Sequence, residues 1–197
     1  MKTRIKVLIA CEFSGIVRDA FIARGHDAVS CDLLPTERPG PHIIGPVEAI
    51  LGDGWDMMIA HPPCTFLANS GVRWLHSRPE RFELCALARA FFLELLHCRI
   101  PLIAVENPTP HGYAKLPPYQ QAIHPCDFGH TQTKRTCLWL KNLPPLMPTD
   151  DVRQITSNLQ KKERMPLWWG GSRKPKDRSR TFLGIANAMA DQWGSLL

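Results

Sequence analysis

Four short apolar runs, each cut off by a polar or rigid residue, limit what this chain can become. Ile5–Ala10 (IKVLIA) gives way to Cys11-Glu12-Phe13-Ser14-Gly15, and Asp27–Asp32 (DAVSCD) stops at its own carboxylate. Trp55–Ala60 (WDMMIA) runs into His61-Pro62-Pro63-Cys64, and Pro101–Asn107 (PLIAVEN) closes on Glu106-Asn107-Pro108. Continuous apolar runs this short fit strands covered on both faces. Thr136–Leu140 (TCLWL) reads as a fifth strand.

The segments between them carry helical patterns. Ile16, Val17, Ala20, Phe21 and Ala23 fall on one side of a helix that Gly25 stops. Arg78–Cys98 is the longest helix, with Pro79 in its first turn, and Thr181–Leu197 reads as a turn into a carboxy-terminal helix. The proline-rich stretch 33–46 (LLPTERPGPHIIGP) is a loop that no helix can cross. Strands alternating with helices predict an α/β chain with a mostly parallel sheet and helices on both faces. Ligands of such sheets gather outside the carboxyl ends of the strands, where the polar residues of this chain cluster.

A chain of 197 residues with 44% hydrophobic and 21% charged residues suits one globular domain, 1–197. No run reaches membrane-spanning length and the start does not read as a signal peptide, so the expected place is the cytoplasm. Seven cysteines are then expected as thiols. The net charge is +6, with much of the excess late, in QKKERMPLWWGGSRKPKDRSR (160–180). That stretch reads either as a phosphate-binding, base-stacking segment or as a solvated loop. His124, Cys126, His130 and Cys137 form a second ambiguous set, read as a metal cluster or as unrelated residues. They lack a paired Cys-x-x-Cys unit, and no metal is expected.

The Phe13-Ser14-Gly15 turn opens a helix whose free amides could hold an anion. Asp32 ends the second strand, where a carboxylate can accept from a ribose diol. Together they suggest a nucleoside-bearing cofactor, and the missing three-glycine fingerprint argues against a nicotinamide. Cys64 is either small buried filler or a nucleophile. Pro62 and Pro63 stiffen the chain just before it and aim the thiol from a strand end into the crevice. Arg73 and Lys134 are possible sources of the positive charge that favours a thiolate. Glu106 ends a neighbouring run and could exchange a proton beside that thiol.

These residues resemble a known family, the DNA (cytosine-5) methyltransferases, in the short form carried by bacteriophages. CEFSG is similar to the turn that binds S-adenosylmethionine, and PPCTFLANSG to the nucleophile motif, with Gly71 seven positions after Cys64. VENP, TQTKRTCLWL and IANAM resemble the later motifs, in family order over nearly the whole chain. Exocyclic-amine methyltransferases also use two prolines here, but follow them with an aromatic residue; the cysteine points to attack on a ring carbon.

The resemblance implies a Rossmann-like S-adenosylmethionine-dependent fold. It implies catalysis by Cys64, Glu106 and Lys134, with Phe13, Ser14, Gly15, Asp32, Pro63 and Asn187 around the cofactor. Asn107, Arg73, Thr136 and Arg180 would meet cytosine-containing DNA, and the oligomeric state is left open. Cys64 would add to C6 while Glu106 bonds N3 and supplies a proton. The chain departs from the family at several places. Cys11 and Gly45-Pro46 stand where acids are usual, and later glycines of the first motif are absent. Lys134 and Thr136 replace arginines, and Ala186 replaces a glycine. Residues 143–180 form a basic insert in place of a target-recognition domain. Two other readings remain: a cytosine-modifying enzyme acting on a nucleotide or using another donor, and a catalytically inactive nucleic-acid-binding protein with this fold.

Overall fold

The computed structural model describes residues 3–160, 163 and 179–196. Its seven strands are β1 (Lys6–Ala10), β2 (Asp27–Asp32), β3 (His42–Ile44), β4 (Met57–Ala60), β5 (Leu102–Pro108), β6 (Gln121–Ile123) and β7 (Thr136–Lys141). They form one sheet in the order β3-β2-β1-β4-β5-β7-β6. β3, β2, β1, β4 and β5 run parallel, and β7 pairs antiparallel with both β5 and β6. A seven-stranded sheet in this order, with only its seventh strand reversed, is the Rossmann-like methyltransferase fold.

The sheet divides two apolar layers. Val7 and Ile9 of β1 face α1 (Ile16–Ile22) and α5 (Leu183–Gln192), whose Val17, Phe21, Ile185 and Met189 are buried against them. Leu8 and Ala10 face the other way, toward α3 (Glu80–His97), where Phe92, Leu95 and Leu96 are buried. Neighbouring residues of each strand thus bury into opposite layers, which explains why the runs are apolar throughout instead of alternating. α2 (Arg73–Ser77) precedes α3, and α4 (Arg153–Asn158) packs near residues 125–127. Among the described residues no helix is long and apolar enough to cross a membrane.

Three readings of the sequence are corrected. The proline-rich stretch contains β3, whose three residues pair with Ser30, Cys31 and Asp32. β6 lies in a segment that gave no strand signal. TCLWL is the seventh strand, not the fifth, and runs against its neighbours. The insert 143–180 is described only in part: Arg153 of α4 bonds Asp127, and residues 161, 162 and 164–178 of the basic stretch lie outside the described residues.

Candidate active site

The carboxyl edge of the sheet carries two groups of side chains, one beyond β1 and β2 and the other beyond β4 and β5. In the second, β4 stops at Ala60, opposite Val105 of β5, so the next residues, His61 and Glu106, become neighbours. His61 Nδ1 lies 3.2 Å from Glu106 Oε2, and both side chains are largely buried. Burial would raise the Glu106 carboxyl, but the His61 hydrogen bond, the Lys134 charge and the His61 charge together hold it below the usual carboxylate range. Glu106 is therefore a carboxylate at neutral pH. His61 Nε2 is buried with no hydrogen-bond partner among the described residues, and this ring, counted by the sequence reading among the strand-end polar residues, is given no role there. Its signal was its position, directly after a strand and before two prolines.

The reversal of β7 brings Lys134 to this group. Thr136 begins β7 opposite Pro108, so the β7 entry, not its exit, meets the carboxyl end of β5. A parallel strand would deliver Lys141 to this edge instead. Lys141 lies at the other edge, where its ammonium donates to the Cys98 and Ile100 carbonyls past the end of α3. Thr136 is buried, and its hydroxyl donates to the Lys134 carbonyl at 3.5 Å, so it shapes the loop that holds the lysine.

Cys64 follows the buried Pro62 and the exposed Pro63, and its own residue is half-buried. Asn107 donates from Nδ2 to the Pro62 carbonyl at 2.9 Å. Expected to meet substrate, Asn107 is itself fully buried and pins the segment that presents Cys64. Beyond the thiol, Leu67 and Ala68 donate their amides to the Cys64 carbonyl. Gly71 lies so close to this turn that an added Cβ would stand 2.8 Å from the Thr65 carbonyl oxygen. The glycine seven positions on is thus what lets the loop fold back on its own start. Residues 109–114 tie the same loop down: Asn69 donates to the Thr109 carbonyl, His111 N donates to Leu67, and the His111 ring meets the Phe66 carbonyl at 2.9 Å.

The first group is acidic and closed on itself. Glu12, buried after β1, accepts from the amides of Val17 and Arg18 and from the Ser14 hydroxyl. The helix-start amides that the sequence reading offered to an anion are therefore taken by the chain's own carboxylate, which satisfies the orphan donors of α1. Phe13, Ser14 and Gly15 are buried, and Glu37 donates its amide to the Phe13 carbonyl. Arg18 is wholly buried. Its guanidinium bonds Ser30, Thr36 and Asp19 and the carbonyls of Arg38 and Pro39, fastening loop 33–41 over α1.

Asp32 caps its own turn through Oδ1, which accepts from the Leu34 amide. Burial, Asp32 and Glu48 push the Cys31 thiol up to about 11. Cys11, held in the left-handed region at φ 57°, is pushed up further by burial, Asp32, Cys31 and Glu48. Glu48 thus belongs to this group, although it sits in the one-turn helix Val47–Ile50 that the sequence reading left out. Two carboxylates beside a filled helix start suit a cationic ligand bearing hydroxyls. A pyrophosphate would find the Val17 and Arg18 amides already occupied.

Other expected residues stand elsewhere. Asn187 accepts from Arg24, which lies past the far end of α1 from the Phe13-Ser14-Gly15 turn. Arg180 makes a two-pronged pair with Glu37 at 2.8 and 2.9 Å, on the side of the first group. Arg73 lies over the Trp74 ring at 4.7 Å, on the exposed helix α2. Among the described residues no three His, Cys, Asp or Glu side chains are placed to hold a metal ion. His130 instead accepts from the Gly184 amide, and Cys137 is buried in β7.

No family model and no curated protein matches the chain. Solved structures similar to it include a protein described as a DNA modification methyltransferase encoded within a prophage of E. coli. That likeness has a TM-score of 0.45 and 17% identity, over 75% of this chain and 51% of that one. Another is the S. pombe Dnmt2 methyltransferase, with a TM-score of 0.43 and 14% identity, over 82% of this chain and 57% of that one. The chain thus spans about half the length of the solved structures it resembles.

Proposed function

We propose that the protein transfers a methyl group from S-adenosylmethionine to carbon 5 of cytosine in DNA through a covalent Cys64 adduct. The observation that carries this reading is the second group: a buried carboxylate bonded to His61 and influenced by the Lys134 charge, on the strand whose Asn107 holds the Pro62-Pro63-Cys64 segment. Asp32 and Glu48 would hold the ribose and favour the sulfonium charge beside the Phe13 turn. S-adenosylmethionine bound there supplies the methyl group.

The thiolate of Cys64 adds to C6 of the extruded base, which makes C5 nucleophilic. The His61–Glu106 pair passes a proton to N3 as C6 is attacked, leaving Glu106 a carboxylate that accepts from the cytosine 4-amino group. After methylation the C5 proton passes to water, the ring double bond re-forms as Cys64 leaves as a thiolate, and N3 returns its proton to the His61–Glu106 pair. Asn107 keeps Pro62 fixed while this happens, and Lys134 holds the pair's negative charge in check.

The deciding experiment incubates the protein with labelled S-adenosylmethionine and cytosine-containing DNA, RNA or nucleotide, followed by nucleoside analysis. Labelled 5-methylcytosine in the DNA arm is expected; label only in the nucleotide arm moves the substrate class. Calorimetry that detects DNA but no S-adenosylmethionine would replace the reading with a nucleic-acid-binding protein on this fold.

A further inference from the structure

The segment that leaves Cys64 carries an exposed surface that the site chemistry does not use. Trp74 is 40% exposed, Phe82 44% and Tyr113 49%. The Trp74 ring has the Arg73 guanidinium 4.7 Å and the Arg78 guanidinium 5.3 Å from its centre. Phe82 and Tyr113 meet edge to face at 5.9 Å, and His76 packs against both at 6.4 and 5.5 Å. From 65 to 82 there are three arginines against one carboxylate, Glu80.

Large exposed aromatic rings lose contact with water only if something flat covers them, and guanidinium groups over such rings are held weakly enough to turn to a phosphate. Alternating ring faces and cations are what a single strand of nucleic acid requires: bases stack and the backbone is neutralised. A duplex offers its bases to neither. The surface is continuous with the thiol, because Arg81 donates to the Thr65 carbonyl and its guanidinium lies 4.7 Å from the Phe66 ring centre.

We infer that residues 73–82 and Tyr113 form a platform for single-stranded nucleic acid, on which the nucleotides flanking the target stack. This inference rests on the proposed function for its target but not for its binding. A strand already unpaired needs no base flipping, which removes that cost from the encounter.

The test uses a fluorescein-labelled strand of about a dozen thymidines, within the span one such surface covers, and the matching duplex, read by anisotropy. The full-length protein is expected to bind the single strand at least about tenfold more tightly than the duplex. Trp74→Ala and Tyr113→Ala should each weaken single-strand binding by about tenfold, and Trp74→Phe should restore most of it. Arg78→Ala should lower the slope of affinity against salt by about one ion. A deoxythymidine strand contains no cytosine, so Cys64→Ser should bind it normally even though it makes no product. If wild type makes no methylcytosine yet binds the strand through Trp74, the proposed reaction fails and the platform stands. Equal binding of duplex and single strand, or no effect of Trp74→Ala and Tyr113→Ala, overturns the platform. Concentration-dependent dimers that Trp74→Ala abolishes overturn it as well, by assigning the face to a second copy of the chain.

Discussion

The two ends of the carboxyl edge are built from the same parts, a strand exit, a cysteine and carboxylates, and they behave oppositely. Beyond β1 and β2 the thiols of Cys11 and Cys31 are pushed up, first by burial and then by the acids around them. Beyond β4 and β5 the carboxylate of Glu106 faces His61 and Lys134 and is pulled down. Thiols in the first region are held protonated, while the second sets a histidine and a lysine around its acid. A cysteine's place after a strand does not by itself make it reactive; burial and neighbouring charge do.

That contrast is most exposed to one substitution. Cys64→Ser should fold, bind S-adenosylmethionine and lose product formation by at least about a thousandfold, while Cys11→Ser keeps turnover within about tenfold. DNA with 5-fluorocytosine should trap the wild type, because fluorine cannot leave C5 as a proton, and mass spectrometry should locate the adduct on Cys64. An adduct on Cys11 or Cys31 would erase the distinction between the regions.

Next comes the acid. Glu106→Gln and His61→Ala should each slow turnover by about a hundredfold or more, with single-turnover assays as the check. The Glu106 carboxyl lies below its ordinary value in the folded chain, so folding favours its charged form. Its stabilising share is present above the ordinary carboxylate value and is lost as pH falls through the lowered one. Thermal melts of wild type should therefore decline more steeply with acidification below about pH 4.5 than those of Glu106→Gln. Parallel curves would remove the charge from the argument.

On the acidic side, Asp32→Ala should weaken S-adenosylmethionine by about tenfold, the worth of one good hydrogen bond to a charged group, measured by calorimetry with little change for a strand of thymidines. The slightest effect belongs to Glu37→Gln. Its pair with Arg180 is partly exposed and is worth about 0.2–1 kcal/mol, which chemical denaturation should show as a small midpoint shift.

Where the chain's own chemistry is local, the sequence showed it. β1, β2, β4 and β5 could be read because each is an apolar run with a sharp stop, and the positions of Cys64 and Glu106 at the carboxyl edge because each lies at such a stop. β3 and β6 could not. Each has three residues and exists because a neighbouring strand pairs with it, and a partner leaves no periodicity behind. The same holds for side chains. Glu12 looked like part of a ligand turn but closes α1, a use that depends on where the Val17 and Arg18 amides point. Glu48 sits exposed at the end of a proline-rich segment, and only the folded loop carries it toward Cys11 and Cys31. The direction of β7 had no local signal, yet it decides that Lys134 reaches Glu106.

The loop after Cys64 is sewn to residues 109–114 by the Asn69 amide, the His111 amide and the His111 ring. Its consequence is one of timing. A loop fastened at three points opens at a cost set by those bonds and not by thermal jostling alone, so the amides of Leu67, Ala68 and Asn69 should exchange slowly with solvent. In the proposed reaction the thiol would then wait in place from the start of each cycle, and the slow event would fall to the nucleotide, which would have to find a fixed mouth instead of being gripped by a closing one.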